Sequence, residues 1–160
     1  MKKIKNYFPG SFILHPISII SVILIIFNDF YLKPSKISPI IAGKLSDISL
    51  MVFLPIFLSF IFIFIKYLLN SILILIKEDI KEDYSIPYMI IIISLFISGG
   101  VLILLQVSDL FNLFFEKYII LLKELLTGKS YSKINLTKDI YDLIAIPFLV
   151  IPYLFLSRYN

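Results

Sequence analysis

Residues 48–70, ISLMVFLPIFLSFIFIFIKYLLN, form one long and mostly apolar run in a chain of 160 residues. A helix of about 20 apolar residues is long enough to cross the roughly 30 Å hydrocarbon core of a membrane. The whole chain is 59% hydrophobic, with a mean hydropathy of +0.98. A soluble domain of that composition would expose too much apolar surface to water, so the sequence predicts an integral membrane protein.

Three other apolar runs qualify or nearly qualify as crossings, which gives four predicted spans: 12–32, 48–70, 86–107 and 141–157. Between the third and fourth spans, the polar residues of 109–127 project within about 140° on a helical wheel. That pattern predicts an amphipathic helix, ended by Gly128, which lies in the interface or packs over the bundle. The predicted fold is all-α: one transmembrane domain, 1–160, built as a four-helix bundle with one interfacial helix.

Composition narrows the classes of function. Cysteine is absent, which excludes disulfides and thiolate metal sites, and one histidine leaves few ways to build a zinc site. We therefore expect no metal and no cofactor. The net charge of +4 comes from lysines scattered over the loops, a distribution unsuited to nucleic acid. Anionic lipid headgroups are the expected counter-charge, and a membrane protein or a second copy of the chain is a further candidate partner.

The high lysine and isoleucine content and low alanine content are typical of a bacterial protein, so the expected location is the inner membrane, with several crossings. Basic residues are divided almost evenly between the loops of the two predicted sides. The positive-inside rule therefore leaves the orientation of the N-terminus open.

Polar residues gather at one predicted face of the membrane. Successive crossings alternate in direction, so the ends of the first and third helices meet the starts of the second and fourth. Gln106 and Asp109 lie near that face, and eight further residues form a candidate polar site: Asn28, Asp29, Lys33, Lys44, Ser46, Asp47, Asp139 and Asp142. Acids and lysines at a common depth in a membrane are typical of sites that bind or conduct ions.

His15 lies on the same stripe of the first helix as Asp29 and Lys33, within about 60°. Fourteen residues separate His15 from Asp29, which is about 21 Å along a helix. His15 is therefore a candidate proton relay rather than a direct ligand of the polar site. With Pro16, it is alternatively an entry to the first helix at the interface.

Helix capping is the simpler explanation for several of these residues. Ser46 or Asp47 has the position of an N-cap of the second helix. Asp139 or Asp142 falls in the first turn of the fourth helix, where an acid complements the helix dipole.

Several of these residues also carry a resemblance to a known family. The chain resembles a bacterial family of small, uncharacterised multi-pass membrane proteins over most of its length. The resemblance implies a membrane location and a shared polar site, with no known activity. Phe30 stands where that pattern often has a histidine, and Leu50 where it often has a glycine. The residues that carry the resemblance are His15-Pro16, Asn28-Asp29, Leu32-Lys33, Gly43 to Asp47, Asp142-Leu143, Ala145 and Pro147.

Three functions stay open. In the first, Asp29, Asp47 and Asp142, balanced by Lys33 and Lys44, hold or conduct an ion, a proton or a small polar solute. In the second, the chain is a structural or accessory subunit of a membrane complex, and its polar groups pin helices together. In the third, it is a membrane enzyme in which Lys33 and Lys44 hold a lipid or isoprenoid phosphate. No nucleophile and base stand at a recognisable spacing, so the enzyme is the least favoured.

Overall fold

The computed structural model describes residues 10–32, 35, 39–76, 85–128, 130 and 139–160. Within these ranges the chain is helical and contains no strand, which confirms the predicted all-α class. Among the described residues, three helical stretches are long and apolar enough to cross a membrane: Gly43–Ile72, Tyr88–Val107 and Ile140–Tyr159. The first predicted crossing is a shorter apolar helix, Pro16–Leu32.

Five α-helices make up most of the described chain: α1 (Pro16–Phe27), α2 (Pro39–Ile76), α3 (Tyr88–Val107), α4 (Asp109–Thr127) and α5 (Val150–Leu156). Shorter turns of other helix types extend two of them. A 3-10 turn, Ser11–Leu14, precedes α1, and a π-helical turn, Asn28–Leu32, follows it. A 3-10 segment, Ile140–Leu149, runs directly into α5, which ends in a second 3-10 turn, Ser157–Tyr159.

Two helix starts follow from local side-chain chemistry. The Nδ1 atom of His15 accepts a hydrogen bond from the backbone N–H of Ile17 at 3.3 Å, and Pro16 takes the first helical position of α1. Ser108 is the only residue between α3 and α4, and its hydroxyl accepts from the N–H of Phe111 at 3.2 Å. The helix predicted over 109–127 is present as α4, and it ends at Gly128, whose φ is +65°.

The prediction that Ser46 or Asp47 caps the second helix is wrong. Helix α2 begins at Pro39, so Ser46 and Asp47 lie inside it and neither is its N-cap. Pro39 suits a first turn, and the helix continues from there through the polar residues into the long apolar run. The predicted fourth span, 141–157, lies within the helical stretch Ile140–Tyr159, but the first ten residues of that stretch, Ile140–Leu149, are wound as a 3-10 helix. Pro147 lies inside that segment and has no N–H to donate to an α-helical ladder.

Helix α2 is the centre of the bundle, because α1, α3, the 3-10 segment and α5 all pack against it. The larger buried apolar cluster includes Ile56, Ile91 and Leu156, and a smaller cluster contains Met51, Leu102 and Ala145. Small polar residues are buried alongside them. Ser59 of α2 donates to Ser94 of α3 at 3.0 Å, and both side chains are fully buried. Serine at this contact lets the two helices approach closely.

The distribution of apolar side chains is inverted relative to that of a soluble protein. Among the described residues, 36 large hydrophobic side chains are exposed and eleven hydrophobic residues are buried. Six of the seven buried polar residues are serines, and the seventh is Asn28. A surface richer in apolar side chains than the interior is expected where the surrounding solvent is lipid.

We expect Gly10→Ala to destabilise the protein. Gly10 has a φ of +95°, which disfavours a side chain, and an added Cβ would overlap the ring of Phe60 on α2. Gly100→Ala is the matched control, because an added Cβ there meets nothing within 4 Å. Thermal unfolding in detergent should show a lower Tm for Gly10→Ala and no loss for Gly100→Ala. An equal Tm for the two variants would contradict this packing of the N-terminal turn.

Candidate functional site

Four polar side chains from three parts of the chain form a closed network, which we call the polar clamp. The Nζ atom of Lys44 donates to Oδ2 of Asp139 at 2.9 Å and to Oδ1 of Asp142. The Nε2 atom of Gln106 donates to Oδ2 of Asp142 at 2.8 Å. The Oε1 atom of Gln106 accepts from the backbone N–H of Asp139 at 2.9 Å, which closes the ring.

Helix ends position every member of the polar clamp. Lys44 lies five residues after the start of α2, and Gln106 lies in the last turn of α3. Asp139 is the N-cap of the 3-10 segment, where its Oδ1 accepts from the N–H of Tyr141 at 3.0 Å, and Asp142 lies in its first turn. A 3-10 helix has three residues per turn, which favours placing two acids three residues apart along one edge.

The polar clamp is shielded from solvent to different degrees at its three charges. The side chain of Asp142 is 15% exposed, that of Lys44 is 23% exposed and that of Asp139 is 47% exposed. Two carboxylates face one ammonium, so the cluster has a formal charge of −1. Charge attraction is screened less here than at an open surface, and Asp139 is the acid that solvent reaches most easily.

The hydrogen bond from Lys44 holds the pKa of the Asp139 carboxyl below its usual range, and the N–H of Tyr141 acts in the same direction. A lowered pKa in the folded state means that ionised Asp139 stabilises the fold. That contribution is complete above the usual carboxyl pKa and is lost as the pH falls through the lowered value.

The other residues of the predicted site lie elsewhere in the fold. Asn28 is fully buried in the π-helical turn, and its Nδ2 lies 3.5 Å from Oδ1 of the exposed Asp29. Ser46 and Asp47 are half-buried inside α2. Asp29 and Asp47 each make an interaction of their own. Lys33 lies outside the described residues. The structure therefore brings together Lys44, Asp139 and Asp142 of the eight candidates.

Two buried polar atoms stand out. Within the described part of the chain, Oδ1 of Asn28 and Oγ of Ser49 are buried and have no hydrogen-bond partner. Both side chains are on elements at the contact between the α1 region and α2. Buried polar atoms are usually paired, so these two are places where water or a ligand could donate or accept.

His15, the candidate relay, acts as the N-cap of α1. Its ring also packs against Phe155, with 4.5 Å between ring centroids. Within the described ranges, no three His, Asp or Glu side chains lie close enough together to hold a metal ion.

Sequence reasoning left out two polar residues that the structure brings into prominence. Gln106 was placed at the correct face but not in the site, although it is the only amide in the predicted span 86–107. Lys66 is absent from the site predicted by the sequence, although it is the only charged residue in the run 48–70. Each of these two residues is an isolated polar residue inside an apolar run, and that pattern in the sequence indicates a position of functional interest.

A scan against protein-family models, a search of curated proteins and a search of solved structures each found no match to this chain. The resemblance to small multi-pass bacterial proteins therefore stays a prediction that rests on the residues quoted for it.

We expect Lys44→Met to destabilise the protein by about 1–2 kcal/mol, between the values typical of exposed and of fully buried ion pairs. Met keeps most of the apolar stem and removes the ammonium that faces Asp142. Combining it with Asp142→Asn should cost less than the sum of the two single changes, because they remove the same contact. Denaturant titration in detergent measures the coupling.

Lys117→Met is the matched control for Lys44→Met, because Lys117 is exposed on α4. It should leave the free energy of unfolding unchanged. Strictly additive losses for Lys44→Met and Asp142→Asn would show that the two side chains do not interact.

We expect the Tm of the wild-type protein in detergent to fall as the pH drops below about 4, the usual range of an aspartate pKa. The folded state loses the Asp139 contribution in that range because the carboxyl takes up a proton. Asp139→Asn keeps a capping side chain but does not titrate, so its Tm should change less between pH 6 and pH 3. Parallel curves for the two proteins would contradict a stabilising role for ionised Asp139.

Proposed function

We propose that the protein is a four-crossing protein of the bacterial inner membrane that acts as a structural or accessory subunit, with the polar clamp as the device that holds its helices together. Different observations support the crossing of the membrane and the structural role of the polar clamp.

Two groups of polar side chains lie about one membrane thickness apart along the helices. Their separation supports the proposal that the helices cross the membrane. The polar clamp is the first group. The second contains Tyr88 and Tyr153, whose hydroxyl oxygens are 3.1 Å apart. Tyrosines are enriched where a bilayer meets water. Tyr88 and Gln106 are 18 residues apart on α3, about 27 Å along the helix axis. This distance is close to the roughly 30 Å of the hydrocarbon core.

Helix α1 and its π-helical turn supply the fourth crossing in this proposal. Pro16–Leu32 contains 17 residues, about 26 Å at an α-helical rise. A segment slightly shorter than the bilayer is accommodated by local thinning. Helical rather than β-barrel crossings favour the inner membrane over the outer one.

Helix α4 fits the interfacial position. Its principal contact among the described residues is with α3. Leu110, Phe114 and Leu125 are each at least 70% exposed. It begins next to Gln106, at the level of the polar clamp, and an exposed apolar face at that depth would lie among lipid chains.

The structural role rests on one observation: all four carboxylate oxygens of Asp139 and Asp142 already have N–H donors within the protein. A site that binds an ion or solute normally keeps a ligand position open. Here the donors come from α2, α3 and the start of the 3-10 segment itself. The polar clamp therefore joins three elements and supplies a hydrogen-bond donor to each of its carboxylate oxygens, as expected of a network that holds helices together.

Binding of a cation or a small polar solute is the second candidate function. Two observations favour it: the formal charge of −1 in the polar clamp and the unpartnered buried atoms of Asn28 and Ser49. The Lys44→Met and Asp142→Asn cycle separates the two functions. A coupled loss of stability supports the structural role, whereas unchanged stability with altered ion flux in proteoliposomes supports the solute site.

We expect single cysteines at Ser35 and Ser130 to be labelled from one side of the membrane and a cysteine at Asn160 from the other. Ser35 precedes α2, at the end that carries the polar clamp. Ser130 follows α4, which lies along the same face in this proposal, and Asn160 follows the last crossing. The natural chain has no cysteine, so no background residue has to be removed. A membrane-impermeant maleimide applied to intact cells and to inverted vesicles measures the sides.

A reporter fused to the N-terminus tests the crossing by α1, and it should share the side of Asn160. Labelling of Ser35 and Asn160 from the same compartment would contradict the proposed arrangement.

A further inference from the structure

A groove of about 420 Å³ opens between α2 and α3 on the outside of the bundle. Its volume falls in the range of small-molecule sites, about 300–1,000 Å³. Two of the lining side chains are polar, Lys66 and Asn70. The others are large and apolar: Phe62, Ile65, Leu69, Ile90 and Ile93. We call this feature the α2–α3 groove.

Lys66 is a half-buried cation in an otherwise apolar stretch of α2. Asn70 is one helical turn further along, so the two polar groups share a face of the helix. Within the described residues, no carboxylate lies within ion-pair distance of Lys66, whereas Lys44 on the same helix has two. An ammonium in apolar surroundings is stabilised by an anion.

The depth of Lys66 follows from the contact between Ser59 and Ser94. Lys44 lies near Gln106 and Ile65 lies near Ile90, so α2 and α3 run antiparallel. Lys66 is seven residues after Ser59 and Tyr88 is six residues before Ser94. Both are therefore about 10 Å from the serine pair in the same direction. Lys66 is thus at the level of the tyrosine pair, where lipid headgroups are expected.

We propose that the α2–α3 groove binds one anionic phospholipid. Its phosphate accepts from the ammonium of Lys66 and the amide of Asn70, and one acyl chain lies on Ile65, Ile93 and Phe62 toward the middle of the membrane. The lone cation favours an anionic headgroup, because the positive group of a zwitterionic lipid finds no carboxylate among the described residues there. The assignment rests on the proposed crossing of the membrane.

The test measures lipid retained by the purified full-length protein. The protein is solubilised with equimolar phosphatidylglycerol and phosphatidylcholine, and bound lipid is counted by native mass spectrometry. We expect the wild type to retain one phosphatidylglycerol in preference to phosphatidylcholine. Lys66→Met should weaken that binding about five-fold, as the loss of one lysine contact to an anionic lipid predicts. Lys66→Arg should restore it, and Lys117→Met, on α4, should leave it unchanged.

A groove-filling variant tests the acyl chain independently of the charge. Ile93→Phe narrows the groove without altering Lys66, so it should reduce the retention of both lipids. Equal retention of phosphatidylglycerol by the wild type and by Lys66→Met would overturn the proposal. Loss of a bound second protein copy from Lys66→Met would also overturn it, because the group that pairs with Lys66 would then be a carboxylate of that copy. If cysteine labelling supports the crossing while Lys66→Met keeps its lipid, the groove assignment fails and the proposed topology stands.

Discussion

A lysine ammonium at the end of an apolar helix must meet an opposite charge or reach water, and Lys44 meets two. Its partners, Asp139 and Asp142, are 95 and 98 residues away along the chain. The ion pair therefore joins the start of α2 to the start of the last helical segment, and Gln106 adds the end of α3. Once those three ends meet, the depth at which Ser59 faces Ser94 is set as well. The larger apolar cluster packs on both sides of that serine contact, with Val52 and Ile56 on the side of the polar clamp and Ile63 on the other.

The class of the fold could be predicted from the length of the apolar runs, because few structures other than helices bury that much apolar sequence in stretches of about 20 residues. The alternating direction of successive runs also placed Lys44, Asp139 and Asp142 at one end. Which carboxylate meets which lysine depends on side-chain packing between distant segments, and no local pattern carries that information. Gln106 shows the same limit, since its role is apparent only when Asp142 and the N–H of Asp139 are beside it.

Two errors have local causes. Ser46 and Asp47 have the residue types of an N-cap, but the same types occur inside a helix, and Pro39 starts α2 well before them. The site predicted from the sequence lacks Lys66, because a hydropathy averaged over about 20 residues hides a single cation. The two lysines of α2 show how context decides their chemistry. Lys44 is enclosed by acids of its own chain, whereas Lys66 faces outward at a groove and depends on what surrounds the protein.

The pitch of the 3-10 segment decides how far the C-terminal part of the chain extends. Ten residues at about 2.0 Å each cover roughly 20 Å, against about 15 Å if Ile140–Leu149 were wound as an α-helix. The C-terminal stretch 139–159 is fastened at both ends, one through Asp139, which contacts Lys44 and Gln106, and the other through the carbonyl of Tyr159, which accepts from the N–H of Ile86 at 3.0 Å. Rewinding the 3-10 segment as an α-helix would shorten the stretch between these anchors by about 5 Å. The 3-10 winding of Ile140–Leu149 therefore sets the distance between the two anchored ends of the C-terminal stretch.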